Sequence, residues 1–274
     1  MEDVEIGHDG HLSRERVRLV GEPAGTAGPD SAPIPRSEPT RTAILPQMTG
    51  GLAQTLDWIR ACGVLPVVEI PDGTDPIALV DALLGARIDA IEITLRTAGA
   101  IDAIRAIRSA RPDVLVVAGT VLSTDQLDAA VGAGVGLVVS PGFSERVVDH
   151  ALEHGIDIMP GVSTPTEVEI GLARGLGTFK FFPAEAAGGR RWLAAVGGPY
   201  PQIRFVPTGG IDATTLPGYL ELPSVLACGG SWLVSRRLLE DGDIETVRRL
   251  AQEARIIVNR VRPRADLSPV AQGR

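Results

Sequence analysis

Eight short runs rich in Val, Ile and Phe recur along this chain, with starts about 20–25 residues apart. They are "VLPVVEI" (64–70), "DAIEITLR" (89–96), "VLVVAGT" (114–120), "GLVVSPG" (136–142), "IDIMPG" (156–161), "TFKFFPA" (178–184), "IRFVPTGG" (203–210) and "SVLACGGS" (224–231). Between them lie Ala- and Leu-rich stretches with room for a helix and two turns. Strands that alternate with helices return parallel to one another. Eight such units predict an α/β chain folded as a (β/α)8 TIM barrel, a single domain over residues 51–262. A doubly wound parallel sheet is the alternative. No repeat of sequence accompanies the repeat of pattern.

The flanks read differently. Residues 1–50 include "GEPAGTAGPDSAPIPRSEPTRT", with no helix or strand period, and are expected to form a disordered N-terminal extension. Met48 offers a later start, "RERVRLV" is a short amphipathic patch, and residues 263–274 read as a flexible tail. The opening "MEDVEIGHDGH" has no apolar core of a signal peptide, and no run of about 20 apolar residues suggests a membrane span. A net charge of −8 argues against nucleic-acid or membrane-surface partners, which favour basic patches. Cys62 and Cys228 show neither metal-ligand spacing nor a disulfide framework, which fits a reducing cytoplasm. "HALEH" sets His150 and His154 one helical turn apart but lacks the adjacent Glu of a zincin motif, so it reads as a solvated helix face.

In a barrel, chemistry gathers where the strands end. Side chains alternate faces along a strand. In "IEITLR", Ile91, Ile93 and Leu95 take one face and Glu92, Thr94 and Arg96 the other. The apolar face should meet the helices, so the polar face should point into the barrel, a place normally filled by bulky branched side chains. A buried ion pair that only fixes packing is one reading. The other makes Glu92 a general acid/base and Arg96 an anion clamp, because the planar fork of arginine grips both oxygens of a carboxylate.

The same parity applied to "TFKFF" turns Thr178, Lys180 and Phe182 inward, and Phe179 and Phe181 outward under helices. Lys180 is the only lysine among 26 Lys and Arg residues. Burial penalises the charged form of a lysine, and a neutral amine can attack a carbonyl to form a Schiff base. Arginine cannot, since it stays protonated. A drift toward arginine that spared one indispensable lysine accounts for the composition. Chance survival of an ion-pairing lysine is the plainer alternative.

Paired glycines close the seventh and eighth runs, in "PTGGI" and "CGGSW". Glycine lets backbone N–H groups approach an anion, and barrels often hold phosphate at these two loops. The expected contacts are the amides of Gly209, Gly210, Gly229 and Gly230 with the hydroxyl of Ser231. Thr120 can donate to a substrate, and Pro141 can shape or line the pocket.

From about Leu52 to Arg262 the chain resembles the bacterial KHG/KDPG aldolases, through "EITLRT", "VVAGTVL", "VSPGF", "MPGVSTPTE", "FKFFPAEAAGG", "FVPTGGI" and "GGSWL" in family order. The resemblance implies a metal-free, cofactor-independent class I aldolase on a (β/α)8 barrel, commonly a homotrimer. It implies cleavage of 2-keto-3-deoxy-6-phosphogluconate (KDPG) to pyruvate and glyceraldehyde 3-phosphate, and of 4-hydroxy-2-oxoglutarate to pyruvate and glyoxylate. It matches Lys180 to the Schiff-base lysine and Glu92 to the general acid/base. Arg96 and Thr120 match the carboxylate contacts, Pro141 and Phe182 the pocket lining, and Gly209, Gly210 and Ser231 the phosphate site. One position departs: Glu69 ends the first run, where many relatives carry arginine. An aldolase for a related 2-oxo acid, such as the galactonate-derived epimer, is the rival enzyme. A phosphosugar-binding barrel without catalysis is the rival of another class, and it would have no need of Lys180 and Glu92 on inward faces.

Overall fold

The computed structural model describes residues 51–263. The expected extension over 1–50 and residues 264–274 of the expected tail lie outside the described residues. Helix α1 (Gly51–Cys62) leads into β1 (Val64–Val68), and strands and helices then alternate. They run α2 (Pro76–Leu84), β2 (Ala90–Thr94), α3 (Ala100–Ala110), β3 (Leu115–Gly119), α4 (Thr124–Gly132), β4 (Leu137–Val139), α5 (Glu145–Glu153), β5 (Ile158–Met159) and β6 (Gly161–Val162). The second part holds α6 (Pro165–Ala173), β7 (Thr178–Phe181), α7 (Gly189–Gly197), β8 (Arg204–Pro207), α8 (Leu216–Leu220) and β9 (Cys228–Gly230). A 3₁₀ turn (Trp232–Val234), α9 (Arg236–Glu240) and α10 (Ile244–Val261) complete it.

This is an α/β fold whose main sheet, ordered β5-β4-β3-β2-β1-β9, curves into a half-barrel, with β6-β7-β8 as a second sheet. Every strand pair is parallel. The order is sequential and sets the last strand beside the first, unlike a doubly wound sheet, whose order reverses about a switch point. The fifth run, read as one strand, is two. Pro160 divides it, because proline has no N–H to give to a ladder. The chain changes sheets there: Met159 pairs with Val139, while Gly161 pairs with Lys180. The Pro160 carbonyl still accepts from Lys180 N at 3.0 Å. On the other side, bridges Phe205–Val225 and Thr208–Gly229 link β8 to the last run.

Strand parity separates two cores. Val64, Val68, Ile91, Ile93, Val116, Ala118, Phe179, Phe181 and Phe205 face outward and pack with the helices. Leu65, Ala90, Leu115, Val117, Leu137, Val139, Met159 and Val206 face inward and form a smaller core. Leu52, Leu56 and Trp58 of α1 pack against that inner core and cover it at the end where the strands begin. The inner apolar layer therefore fills the lower half of the strands, which leaves the upper half for polar groups.

The outward phenylalanines anchor β7. Gly171 of α6 carries no Cβ, and one placed there would lie 2.4 Å from the Phe179 ring. Phe181 stacks on Trp192 of α7 at a centroid distance of 4.3 Å, with planes 9° apart. Start signals written in the sequence hold the helices on the strands. Asp75 caps α2 through Ile77 N (2.8 Å) and Ala78 N (3.2 Å). Thr164 and Glu167 form a reciprocal capping box on α6. Because Phe181 is fully buried and stacked, Phe181→Ala should lower unfolding free energy by about 3–5 kcal/mol, read from urea denaturation of the purified chain.

Candidate active site

The inward parity of β2 and β7 brings together two residues 88 positions apart. Lys180 Nζ donates to Glu92 Oε1 at 2.9 Å. Their side chains are 6% and 1% exposed, so the pair is shut off from bulk water. Outward isoleucines at 91 and 93 hold Glu92 in place from one side, and outward phenylalanines at 179 and 181 hold Lys180 from the other. The sequence expectation for both faces holds. Lys180 Nζ also lies 5.6 Å from the centroid of the Phe182 ring, within cation–π range.

Space for the carboxylate comes from a missing Cβ on the next strand. Gly119 ends β3 beside Glu92, and a Cβ there would lie 2.2 Å from Glu92 Oε1. Gly161 serves a similar end on β6, where a Cβ would lie 2.1 Å from the Pro141 carbonyl oxygen. Neither glycine has a left-handed φ, so close approach is the reason for both. Strand alternation gives no sign of them, since a glycine has no side chain to assign to a face.

Arg96 continues the inward face of β2 past its end. Its Nε donates to Thr120 Oγ1 at 3.3 Å, and its Nη1 to Glu69 Oε2 at 3.3 Å. Its side chain is 49% exposed, so it stands at the open rim above the buried pair. Thr120 has φ +57°, a conformation costly for a β-branched residue. That turn sets its hydroxyl against Arg96. Glu69 also accepts from Arg236 Nη1 of α9, a contact 167 residues away in sequence that no local pattern announced.

The glycine loops divide in character. Gly209 and Gly210 follow β8 with φ +107° and +79°, and the chain cannot take this turn comfortably with other residues. The segment after β7 buttresses them: Ala184 N donates to Thr208 O at 2.8 Å and Glu185 N to Gly209 O at 3.0 Å. Phe182 Cδ2 sits 3.5 Å from where a Gly209 Cβ would be, so its ring stands between this loop and Lys180. Gly229 and Gly230 lie buried in β9. Their missing Cβ atoms make room for Thr208 Oγ1, 2.1 Å away, and the Trp232 ring, 1.9 Å away. Packing thus accounts for the absence of a side chain at those two positions. Ser231 is exposed where the 3₁₀ turn begins. A further support that the sequence reading missed is Tyr219 of α8, which donates to Glu185 beneath the Gly210 turn.

Other nucleophiles are poorly placed. Cys62 donates to Asp89 Oδ1 at 2.9 Å, and burial, then that carboxylate, pushes its thiol up to about 12. Burial raises Cys228 as well. Neither supplies a thiolate near neutral pH. His150 pairs with Asp128 at 2.9 Å between α5 and α4, and one turn away His154 Nδ1 donates to the His150 carbonyl at 2.8 Å. Among the described residues no group of three or more His, Cys, Asp and Glu could hold a metal ion, and no helix is long and apolar enough to cross a membrane.

The chain as a whole is similar to known proteins. The family model for KDPG and KHG aldolase matches residues 56–250. A 2-dehydro-3-deoxy-phosphogluconate aldolase of Treponema pallidum (strain Nichols) is 46% identical over 205 residues, covering 75% of this chain and 96% of its own. The KHG/KDPG aldolase of Escherichia coli (strain K12) is 44% identical over 191 residues, covering 70% and 90%. The structure of KDPG aldolase from Legionella pneumophila, with pyruvate captured at low pH as a covalent carbinolamine intermediate, superposes with a TM-score of 0.70. It is 36% identical and covers 73% of this chain and 97% of its own. With most of the chain inside the family model and relatives matched over nearly their whole length, the chain belongs to the KDPG and KHG aldolase family.

Proposed function

We propose that this chain is a class I aldolase that cleaves KDPG to pyruvate and glyceraldehyde 3-phosphate, and 4-hydroxy-2-oxoglutarate to pyruvate and glyoxylate. The observation that carries this reading is the buried 2.9 Å contact between Lys180 Nζ and Glu92 Oε1. It joins an amine able to form an imine to a carboxylate able to move protons, with no water-filled path needed between them.

The reaction follows from these groups. Glu92 takes a proton from Lys180 across their contact, which frees the amine; Nζ then adds to the C2 carbonyl, forming a C–N bond, and Glu92 delivers that proton to the oxygen. Loss of water gives the iminium. Glu92, now a carboxylate, takes the proton of the C4 hydroxyl. The C3–C4 bond breaks, its electron pair flows into the iminium, and the aldehyde leaves. The resulting enamine is protonated at C3 and hydrolysed, which releases pyruvate and restores the amine. Covalent attachment divides one hard step into easier ones. Arg96 and Thr120 hold the substrate carboxylate, so that C2 stands over Lys180. Pro141 and Phe182 line the pocket between them. Gly209, Gly210, Gly229, Gly230 and Ser231 receive the phosphate, with the two left-handed glycines after β8 as its main cradle.

The wider reading is a closed (β/α)8 barrel over residues 51–262. The pairing of β9 with β1, the Pro160 carbonyl contact and the β8 bridges support it. The protein acts in the cytoplasm as a homotrimer within the Entner–Doudoroff route, a reading that its family membership supports.

Incubation with pyruvate and borohydride should leave a covalent adduct mapped by mass spectrometry to Lys180. No label there would end the reading; with one lysine, the N-terminal amine is the other site to which the adduct could map. Lys180→Arg should lose more than roughly 10³-fold in kcat. Glu92→Gln should keep pyruvate binding but lose about 10²–10⁴-fold in kcat, measured by coupled assay of pyruvate release. Gly119→Ala places a methyl where the Glu92 carboxylate sits, and should cost about 10²-fold in kcat while the fold survives by circular dichroism.

A further inference from the structure

Glu69 ends the inner face of β1, after Leu65 and Val67, and its two carboxylate oxygens are divided between two arginines. Oε1 accepts from Arg236 Nη1, in the closer contact, and Oε2 from Arg96 Nη1 at 3.3 Å. Arg236 opens α9, and its Nε donates to Glu240 Oε1 at 2.7 Å. Arg96 Nε donates to Thr120 Oγ1 at 3.3 Å. Charges of alternating sign thus run Glu240, Arg236, Glu69, Arg96 along the rim, from the segment after β9, across β1, to the ends of β2 and β3. Arg96 Nη2 makes no hydrogen bond among the described residues, and half of the side chain is open to solvent.

A carboxylate that reaches Arg96 arrives next to the carboxylate of Glu69. Two like charges sharing one guanidinium repel, unless another cation takes up one of them. Arg236 is that cation. Glu240 first and Glu69 second raise its affinity for its proton, so it stays charged at every working pH. Without Arg236, Glu69 would turn its whole charge on Arg96 and occupy the fork that an incoming carboxylate needs. We propose that Arg236 is a positioning residue for the 2-oxo acid end of the substrate: by holding Glu69, it keeps Arg96 available to a carboxylate. The inference rests on the reading above, in which Arg96 receives that carboxylate.

The effect is of rim size, because Arg236 and Arg96 are both about half exposed. In the coupled assay, Arg236→Ala should raise KM about fivefold, with kcat within about twofold of the parent. The increase should shrink at roughly 0.5 M salt, where the screening length falls to a few ångströms. Arg236→Lys keeps the charge and should recover most of the loss. Glu69→Gln alone should leave KM at or below the parent value, and Glu69→Gln with Arg236→Ala should return KM to within about twofold of the parent. An unchanged KM in Arg236→Ala, a double variant as impaired as the single one, or a raised KM in Glu69→Gln would overturn the proposal. Borohydride labelling of Lys180 at saturating pyruvate, run on the parent and on each variant, separates the two ideas. A parent without label fails the aldolase reading itself, whereas full labelling with no KM pattern fails only the role of Arg236.

Discussion

Everything at this site depends on one buried ion pair. Lys180 and Glu92 meet at 2.9 Å with almost no solvent between them. Taking both charges out of water is expensive, and mutual attraction offsets that cost only when the geometry is good. Removing one partner strands the other, at a typical cost of about 3–5 kcal/mol. A chain selected for stability alone would do better with apolar side chains in this layer, as it has in the layer beneath. Burial of the pair therefore costs stability, and the packing around it must be tight enough to tolerate that cost.

That packing has visible sources. Below the pair, Leu65, Ala90, Leu115, Leu137 and Val206 fill the strand interior, and α1 covers them. Outside it, Phe179 packs under Gly171 and Phe181 stacks on Trp192. Beside it, Gly119 leaves the volume that the carboxylate occupies. These contacts fix the direction in which the Lys180 side chain points. The rim differs in exposure: Arg96, Glu69 and Arg236 are partly solvated, whereas Lys180 and Glu92 are buried.

Much of this could be read from residue order. Strand parity assigned Ile91, Ile93, Phe179 and Phe181 to the outer face, and Glu92 and Lys180 to the inner one, because alternation along a strand is local geometry. The helix starts at Asp75 and Thr164, which the sequence reading did not name, are local as well, set by a side chain bonding two or three residues ahead. The single-strand reading of residues 156–161 went wrong at Pro160, where a missing N–H passes the chain from one sheet to the other. The phosphate expectation treated two glycine pairs alike. Gly209 and Gly210 have left-handed backbones, whereas Gly229 and Gly230 make way for Thr208 and Trp232. A glycine serving conformation and a glycine serving packing look the same in a string of letters.

Sequence alone determined the architecture's rhythm, the faces of its strands and the presence of one lysine on an inward face, since each follows from the backbone period or from residue identity. Only tertiary structure decided which groups meet. Nothing within reach of Glu69 along the chain foretells Arg236, nor does Gly119 announce that its absent methyl holds the space for Glu92. Those relations are set by strand register and by the curvature that carries distant ends to one rim. Both are properties of all the strands together, and they do not exist until the chain has closed upon itself.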